Sequence, residues 1–211
     1  RQIEFVPTTG KTRFTALASG EIDMLARNTT WTFSRDVDLK FEFVGVNYYD
    51  GQGFMAKADL GVSSATELDG ATVCIQTGTT TELNLADFFR SNNMSYEAVP
   101  VETGSEAVTN YLAGACDVFT TDRSALAARR ANFEVPTDHV VLPEIVSKEP
   151  LGPLVRHGDN NWGDVVRWTL NALITAEELG VTSANLEEMS KGTNNPEMNR
   201  LLGSEGNLGE M

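Results

Sequence analysis

Apolar residues along the chain fall into two alternating patterns, short apolar runs and longer stretches with helical spacing. The short runs predict strands at residues 3–6, 22–26, 41–46, 53–57, 72–76, 96–101, 117–121, 139–142 and 152–156. The stretches with helical spacing predict helices at residues 11–19, 63–68, 83–90, 105–113, 124–130, 184–189 and 196–202. Because strands and helices alternate, the sequence predicts an α/β fold.

The longest amphipathic helix lies in the last third of the chain and ends at Gly180. Its apolar residues recur at helical spacing and predict a buried stripe of Trp162, Val165, Val166, Thr169, Leu170, Leu173 and Ile174. The polar, glycine-rich end at residues 203–211 is expected to be loose.

One pattern occurs twice, a helix that ends at a glycine followed by an apolar strand that opens with aspartate. The two copies are residues 14–25 and 108–119, and each follows a short strand. The shared register places Asn28 and Asp122 just beyond the strand that closes each copy. Since open parallel sheets bind ligands beyond the carboxyl ends of their strands, both residues are candidates for ligand contact.

The repeat predicts two similar Rossmann-like lobes, and the chain is expected to cross between them twice. Lobe 1 is expected to comprise residues 1–55 and 150–211, and lobe 2 residues 56–149, so that two crossing strands form a hinge. Lobe 2 has a strand, a glycine loop and a helix before its Glu97 strand, whereas lobe 1 begins directly at Arg1. We therefore expect lobe 1 to be incomplete and the sequence to be a fragment of a longer protein.

Composition narrows the class of partner. The 211 residues are 41% hydrophobic and carry a formal net charge of −14, without a basic run that could neutralise phosphates. Nucleic acid is therefore not expected as a partner, and the lack of a long apolar stretch argues against direct membrane insertion. His139 and His157 lack metal-ligand spacing, and no nucleophile motif accompanies them. Neither a metal, a cofactor nor catalysis is expected.

Several polar residues match what a free α-amino acid requires: planar donors for its carboxylate and an anion for its ammonium. Arg35 can bind a carboxylate in a bidentate manner, and Asp122 can accept hydrogen bonds from an ammonium group. A strand-to-helix loop points backbone N–H groups at an anion and includes Gly78, Thr79 and Thr80. Asn28 and Thr30 lie at the equivalent edge of lobe 1 and offer neutral donors and acceptors.

Each candidate also has a purely structural interpretation. The threonine loop can be a simple helix cap, and Asp122 can cap the helix that begins at Ser124. Arg35 can form an exposed ion pair with a neighbouring aspartate. Asn28 can occupy a turn, because asparagine tolerates unusual backbone angles.

Four segments together resemble the periplasmic solute-binding proteins of polar amino acid ABC transporters, in particular the general L-amino acid subgroup. They are DMLARNTTWTFSR (23–35), YYDGQGF (48–54), LDGATVCIQTGTTTE (68–82) and CDVFTTD (116–122). Further likeness at residues 139–153 and 181–203 extends the match over essentially the whole chain.

The resemblance implies a type II periplasmic binding protein fold, a periplasmic location, no catalytic activity and delivery of L-amino acids to a permease. It implies that residues matching Arg35, Thr79 and Thr80 hold the ligand carboxylate. Residues matching Asp122, Asn28 and Thr30 would hold the ammonium.

The two cysteines, Cys74 and Cys116, lie in or beside strands that would be neighbours in lobe 2. A disulfide and a pair of buried free thiols are both compatible with this position. The resemblance favours the disulfide.

The chain departs from the family pattern at both ends, where family members continue further. A homodimer that covers the exposed part of lobe 1 is therefore one expectation, and a piece of a longer chain is the other. Two other functions stay open: an enzyme on the same fold, similar to arogenate or prephenate dehydratases, and the ligand-binding domain of a sensory receptor.

Overall fold

The computed structural model of the chain describes residues 2–207. The chain forms two compact units, residues 1–156 and residues 157–211. The predicted division into lobes at residues 55 and 150 uses other boundaries and stays a prediction.

The first unit contains nine strands and four helices within its described residues. The strands are β1 (Phe41–Phe43), β2 (Tyr48–Asp50), β3 (Gln52–Lys57), β4 (Ala71–Gln76), β5 (Tyr96–Val101), β6 (Val118–Asp122), β7 (His139–Val141), β8 (Glu149–Leu151) and β9 (Leu154–Arg156). The helices are α1 (Arg13–Ser19), α2 (Thr80–Ser91), α3 (Gly104–Leu112) and α4 (Arg123–Ala131), with shorter helical turns at Ser34–Asp38, Ala58–Leu60, Ala65–Glu67 and Pro136–Asp138.

Five strands form one mixed sheet in the order β5-β4-β6-β3-β7. β4 runs parallel to β5 and β6, whereas β3 runs antiparallel to β6 and β7. Apolar residues cover both faces, because neighbours along one strand point to opposite sides. Phe54 and Val73 belong to one core cluster and Met55 and Phe119 to the other. The central strands are therefore enclosed between two layers, as their near-continuous apolar sequence predicts.

Two helical elements of the first unit begin at residues whose side chains cap them. Thr103 caps α3 by accepting a hydrogen bond from the Glu106 N–H, and Ala107 and Tyr111 bury one face of that helix. The predicted start near Ser63 is a short 3-10 turn, Ala65–Glu67, with a capping box between Ser64 and Glu67.

The disulfide Cys74–Cys116 joins β4 to the segment just before β6, with 5.6 Å between the two Cα atoms. Both cysteines lie in the core cluster that also contains Met55 and Phe119. The link closes a sequence separation of 42 residues, and Cys116 lies two residues before β6, the strand that ends at Asp122.

Two short antiparallel pairs connect the sheet to the rest of the first unit, β1 with β9 and β2 with β8. Leu25 and Thr30 add single bridges to Leu154 and Leu151. Leu25 and Thr30, which precede β1, therefore lie beside β9 and β8.

Two predicted strands are wrong as strands. None of the described residues pairs with residues 3–6, and Ile3 and Phe5 are 81% and 88% exposed. At residues 22–26 only Leu25 makes a bridge, so no ladder forms there. Apolar sequence predicts an extended backbone, but a strand exists only where a neighbour accepts its hydrogen bonds.

The second unit contains α5 (Asn160–Glu178), α6 (Leu186–Met189) and α7 (Pro196–Leu201), at the positions that the sequence predicts. The buried stripe expected on α5 is wrong, because of its members only Val166 is buried. Val165 and Leu173 instead line an open groove of about 960 Å³ together with residues of α6 and α7. The loose end expected at residues 203–211 lies partly outside the described residues, since 208–211 are not described.

Replacing both cysteines, Cys74→Ala with Cys116→Ala, is expected to lower the free energy of unfolding by about 2–4 kcal/mol, because the link restricts the unfolded chain. Urea unfolding of the oxidised protein and the double variant measures the difference. A reducing agent should destabilise the wild type and leave the variant unchanged. Equal midpoints for the two proteins would contradict the prediction.

Candidate functional site

The candidate site lies where β4 and β6 end next to each other at one edge of the sheet. β4 is followed by the loop from Thr77 to Thr79 and by α2, and β6 ends at Asp122, from which α4 begins. Residues 8–36, called the N-terminal segment below, lie against this edge. Side chains from the two sides meet there.

Two glycines allow the N-terminal segment to approach the loop after β4. A Cβ atom on Gly10 would lie 2.6 Å from the Thr77 carbonyl oxygen, and one on Gly78 would lie 3.0 Å from the Gly10 carbonyl carbon. Gly78 also has a φ of +74°, a conformation that side chains disfavour. Its N–H donates to Glu82 Oε2 at 2.7 Å. In this structure Gly78 thus allows the backbone of the loop to contact the backbone at Gly10.

Asp122 and Asn28 meet across the site, with Asn28 Nδ2 donating to Asp122 Oδ2 at 2.9 Å. Asp122 is only 7% exposed and makes no capping hydrogen bond to α4. Burial raises the pKa of its carboxyl, and the hydrogen bond from Asn28 opposes that rise. A buried acceptor with one amide partner can take further hydrogen bonds from a cationic group.

Thr30 and Thr80 meet at a second buried carboxylate, which belongs to Glu149. Both hydroxyls donate to Glu149 Oε2, that of Thr80 at 3.2 Å, and the two threonine oxygens lie 3.4 Å apart. The other carboxylate oxygen accepts from Asn84 Nδ2 at 2.8 Å and Ser147 Oγ at 2.6 Å. Glu149 is 2% exposed.

Thr79 belongs to the same loop but bonds locally. Its hydroxyl donates to the Gln76 carbonyl at 2.7 Å, and it occupies the N-cap position of α2 without a side-chain capping bond. The predicted position of this loop, between a strand and a helix, matches the structure. The Thr79 hydroxyl and the Gly78 N–H, however, already have hydrogen-bond partners close by in the chain.

Two buried arginines flank the ring of Phe14. The guanidinium carbons of Arg13 and Arg35 lie 4.8 and 5.1 Å from its centroid. Arg35 Nη1 donates to the Thr30 carbonyl at 2.9 Å, and Arg13 Nη1 donates to Thr29 Oγ1 at 3.1 Å. Arg13 Nε is buried and has no hydrogen-bond partner among the described residues.

Burial makes the charge of both arginines costly. Burial lowers the pKa of Arg13 to about 9, and the neighbouring Arg35 adds to the effect. Burial also lowers the pKa of Arg35, while Glu149 and Asp122 oppose that shift. Arg35 is 7% exposed, so its interpretation as an exposed ion pair does not apply. An anion placed here would be stabilised by both guanidinium groups.

Arg13 and Glu149 were not predicted from the sequence, although each left a signal. Arg13 occupies the same helical face as Ala16 and Leu17, which are buried. Glu149 alternates with Pro150 and shares the buried side of β8 with Leu151. A charged residue that shares one face of an element with apolar neighbours is a candidate buried charge, and buried charges are rare in proteins.

The described part of the chain contains no group of three or more His, Cys, Asp and Glu side chains arranged to hold a metal ion. No helix within residues 2–207 is both long and apolar enough for a membrane span.

Comparisons with known proteins agree with one another. The model of the family described as bacterial extracellular solute-binding proteins, family 3, matches residues 1–184. The glutamate/glutamine/aspartate/asparagine-binding protein BztA of Rhodobacter capsulatus is 63% identical over 99% of this chain and 62% of its own length. The general L-amino acid-binding periplasmic protein AapJ of Rhizobium johnstonii is 56% identical over 97% of this chain and 60% of its own.

A solved structure extends the likeness to three dimensions. The ABC transporter periplasmic binding protein from Brucella ovis with glutathione bound has a TM-score of 0.90 and 56% sequence identity, over 96% of this chain and 64% of that one. The chain thus spans about three fifths of the length of the relatives it matches. The predicted type II periplasmic binding protein fold is confirmed.

Asp122→Asn is expected to stabilise the ligand-free protein at pH 7. Because burial raises the pKa of Asp122 in the folded state, its ionised form costs stability as the pH rises through that pKa, and a neutral amide avoids the cost. The advantage should vanish below the pKa of an unfolded aspartate, about 4. Thermal unfolding of both proteins at pH 7 and near pH 3.5 measures it. A variant less stable than wild type at pH 7 would contradict the expectation.

Proposed function

Because the chain belongs to the bacterial extracellular solute-binding proteins, family 3, we propose that it captures L-amino acids reversibly for an ABC transporter. The observation that carries this proposal is the meeting of buried opposite charges at one sheet edge. Asp122 supplies an anion from the sheet, and Arg13 and Arg35 supply cations from the N-terminal segment. An α-amino acid carries both complementary charges within a few atoms.

The ammonium group of the ligand binds Asp122 in this proposal, with Asn28 and Thr30 completing the polar surroundings. Asp122 already accepts one hydrogen bond from Asn28, and a buried carboxylate has capacity for more. Burial excludes competing water and strengthens each charged hydrogen bond.

The ligand carboxylate binds Arg35 in this proposal, close to Arg13 and to the N-terminus of α2 at Thr79 and Thr80. Arg13 Nε is a buried donor without a partner in the described residues, and an anion would satisfy it. Backbone N–H groups at the start of a helix favour the same charge.

Polar amino acids are the expected ligand class, because the relatives of Rhodobacter capsulatus and Rhizobium johnstonii are named for acidic, amide and general L-amino acids. The expected partner is a membrane permease, and the expected location is the periplasm. We propose binding without catalysis, since these relatives are named as binding proteins. The homodimer that the sequence leaves open stays a prediction.

Calorimetric titration with L-glutamate, L-glutamine, L-leucine and glutathione tests the proposal directly. Binding of at least one L-amino acid is expected, together with a stabilisation of roughly 2.7 kcal/mol at 100 times its dissociation constant. The proposal fails if the folded protein shows neither heat nor a shift in unfolding temperature with any of the four.

Asp122→Ala and Arg35→Ala are each expected to weaken binding by about 2–5 kcal/mol, because each leaves one ligand charge without its partner in a buried site. Asp117→Ala is the matched control for the acid, since Asp117 lies just before β6 and bonds Thr72 instead. Arg90→Ala, at an exposed ion pair, is the control for the arginine. Full affinity in both site variants would exclude this site.

A further inference from the structure

Glu149 is the buried charge for which the proposed function has no use. It begins β8, one of the strands that connect the five-stranded sheet to the rest of the first unit, and it is 2% exposed. Within the described residues its carboxylate makes no ion pair, and its four partners are all neutral donors. A buried carboxylate held in this way is costly to keep unless its position matters.

The partners of Glu149 come from different parts of the first unit. Thr30 belongs to the N-terminal segment, whereas Thr80 and Asn84 lie in the first turns of α2. Ser147 lies two residues before Glu149 in the chain. One carboxylate of β8 therefore bonds residues from both sides of the candidate site.

The threonine pair converges on a single oxygen atom. Both hydroxyls donate to Oε2, so this atom is bonded on one side to the N-terminal segment and on the other to α2. If the two sides separated, Oε2 could keep only one of these partners. The bonds to Oε2 therefore exist together only when the site is closed.

We propose that Glu149 is a positioning residue that stabilises the closed form of the ligand site, by tying Thr30 to Thr80 through one carboxylate oxygen. The inference rests on the proposed function, because closure matters here as the step that retains the amino acid. Glu149 does not need to touch the ligand for this role. It acts on the two threonines, which border the site, and its bonds to Asn84 and Ser147 fix its own orientation.

A competing interpretation makes Glu149 an internal substitute for the ligand carboxylate, since it takes donors near Arg35. It would then leave when ligand arrives, and removing it would strengthen binding. The bonds from Asn84 and Ser147 oppose this interpretation, because neither residue belongs to the candidate ligand set and both hold the carboxylate in place.

Glu149→Gln is the direct test. The amide has nearly the same shape, but it is neutral and has only one acceptor oxygen. The bonds from the threonine hydroxyls therefore lose their charge assistance, and the partners that face the amide NH2 group must accept instead of donate or lose their bond. Affinity for L-glutamate or L-glutamine is expected to fall by roughly 10- to 100-fold. Most of the loss should appear as faster dissociation in stopped-flow measurements. Unchanged or tighter binding would overturn the proposal.

Ser64→Ala is the matched control, because it removes a serine hydrogen bond to another carboxylate, that of Glu144, which has no part in the candidate site. Its affinity should stay within about threefold of wild type even if its unfolding temperature falls. A loss as large as that of Glu149→Gln would mean that binding responds to any loss of local stability, and would overturn the proposal.

A double-mutant cycle separates action through Glu149 from direct ligand contact. Thr80→Val should weaken binding in the wild-type background and have little further effect in Glu149→Gln, because the two residues act through the same bond. Equal losses in both backgrounds would assign Thr80 to the ligand alone and contradict the proposal.

Small-angle X-ray scattering of the ligand-free proteins distinguishes failure of this inference from failure of the proposed function. If the wild type binds no amino acid, the proposed function fails, but the radii of gyration of the ligand-free wild type and Glu149→Gln can still be compared. A larger radius of gyration for folded Glu149→Gln than for wild type then supports the role of Glu149, and equal radii overturn it. Should Glu149→Gln fail to fold, Thr30→Val and Thr80→Val replace it in the same comparison.

Discussion

The burial of four charged side chains at one sheet edge is the constraint on which the rest of the first unit depends. Arg13, Arg35, Asp122 and Glu149 are each at most 7% exposed. Charges withdrawn from water must gain hydrogen bonds or opposite charges nearby, and here most of those partners are neutral amides, hydroxyls and carbonyls. This arrangement costs stability in the absence of a ligand, and a zwitterion recovers part of the cost.

The fold supplies the rigid side of that arrangement. A sheet covered on both faces fixes the ends of β4 and β6, and the disulfide links Cys74 in the middle of β4 to Cys116, two residues before β6. The opposite side is held less firmly, through the paired strands β1 with β9 and β2 with β8 and a few side-chain bonds. Such a division between a fixed surface and a segment held by few contacts suits a site that opens and closes.

The sequence predicts the strands of the five-stranded sheet and the helices beside it, because these depend on local periodicity. The internal repeat singles out Asn28 and Asp122 only as candidates for ligand contact. The sequence predicts neither Arg13 nor Glu149 as site residues, since their roles arise from contacts between segments far apart in the chain. The strand at residues 3–6 and the buried stripe on α5 fail for one shared reason. Apolar periodicity shows which face of an element is apolar, but it does not show whether another element among the described residues packs against that face.

The most direct test of the central claim is a crystal structure of the protein grown with saturating L-glutamate. The account predicts the ligand ammonium within hydrogen-bond distance of Asp122 and its α-carboxylate on Arg35, beside the N-terminus of α2. An amino acid bound elsewhere would contradict it, for example in the cavity of about 630 Å³ lined by Tyr49, Ser124 and Arg130. So would a ligand at the proposed site whose ammonium does not contact Asp122.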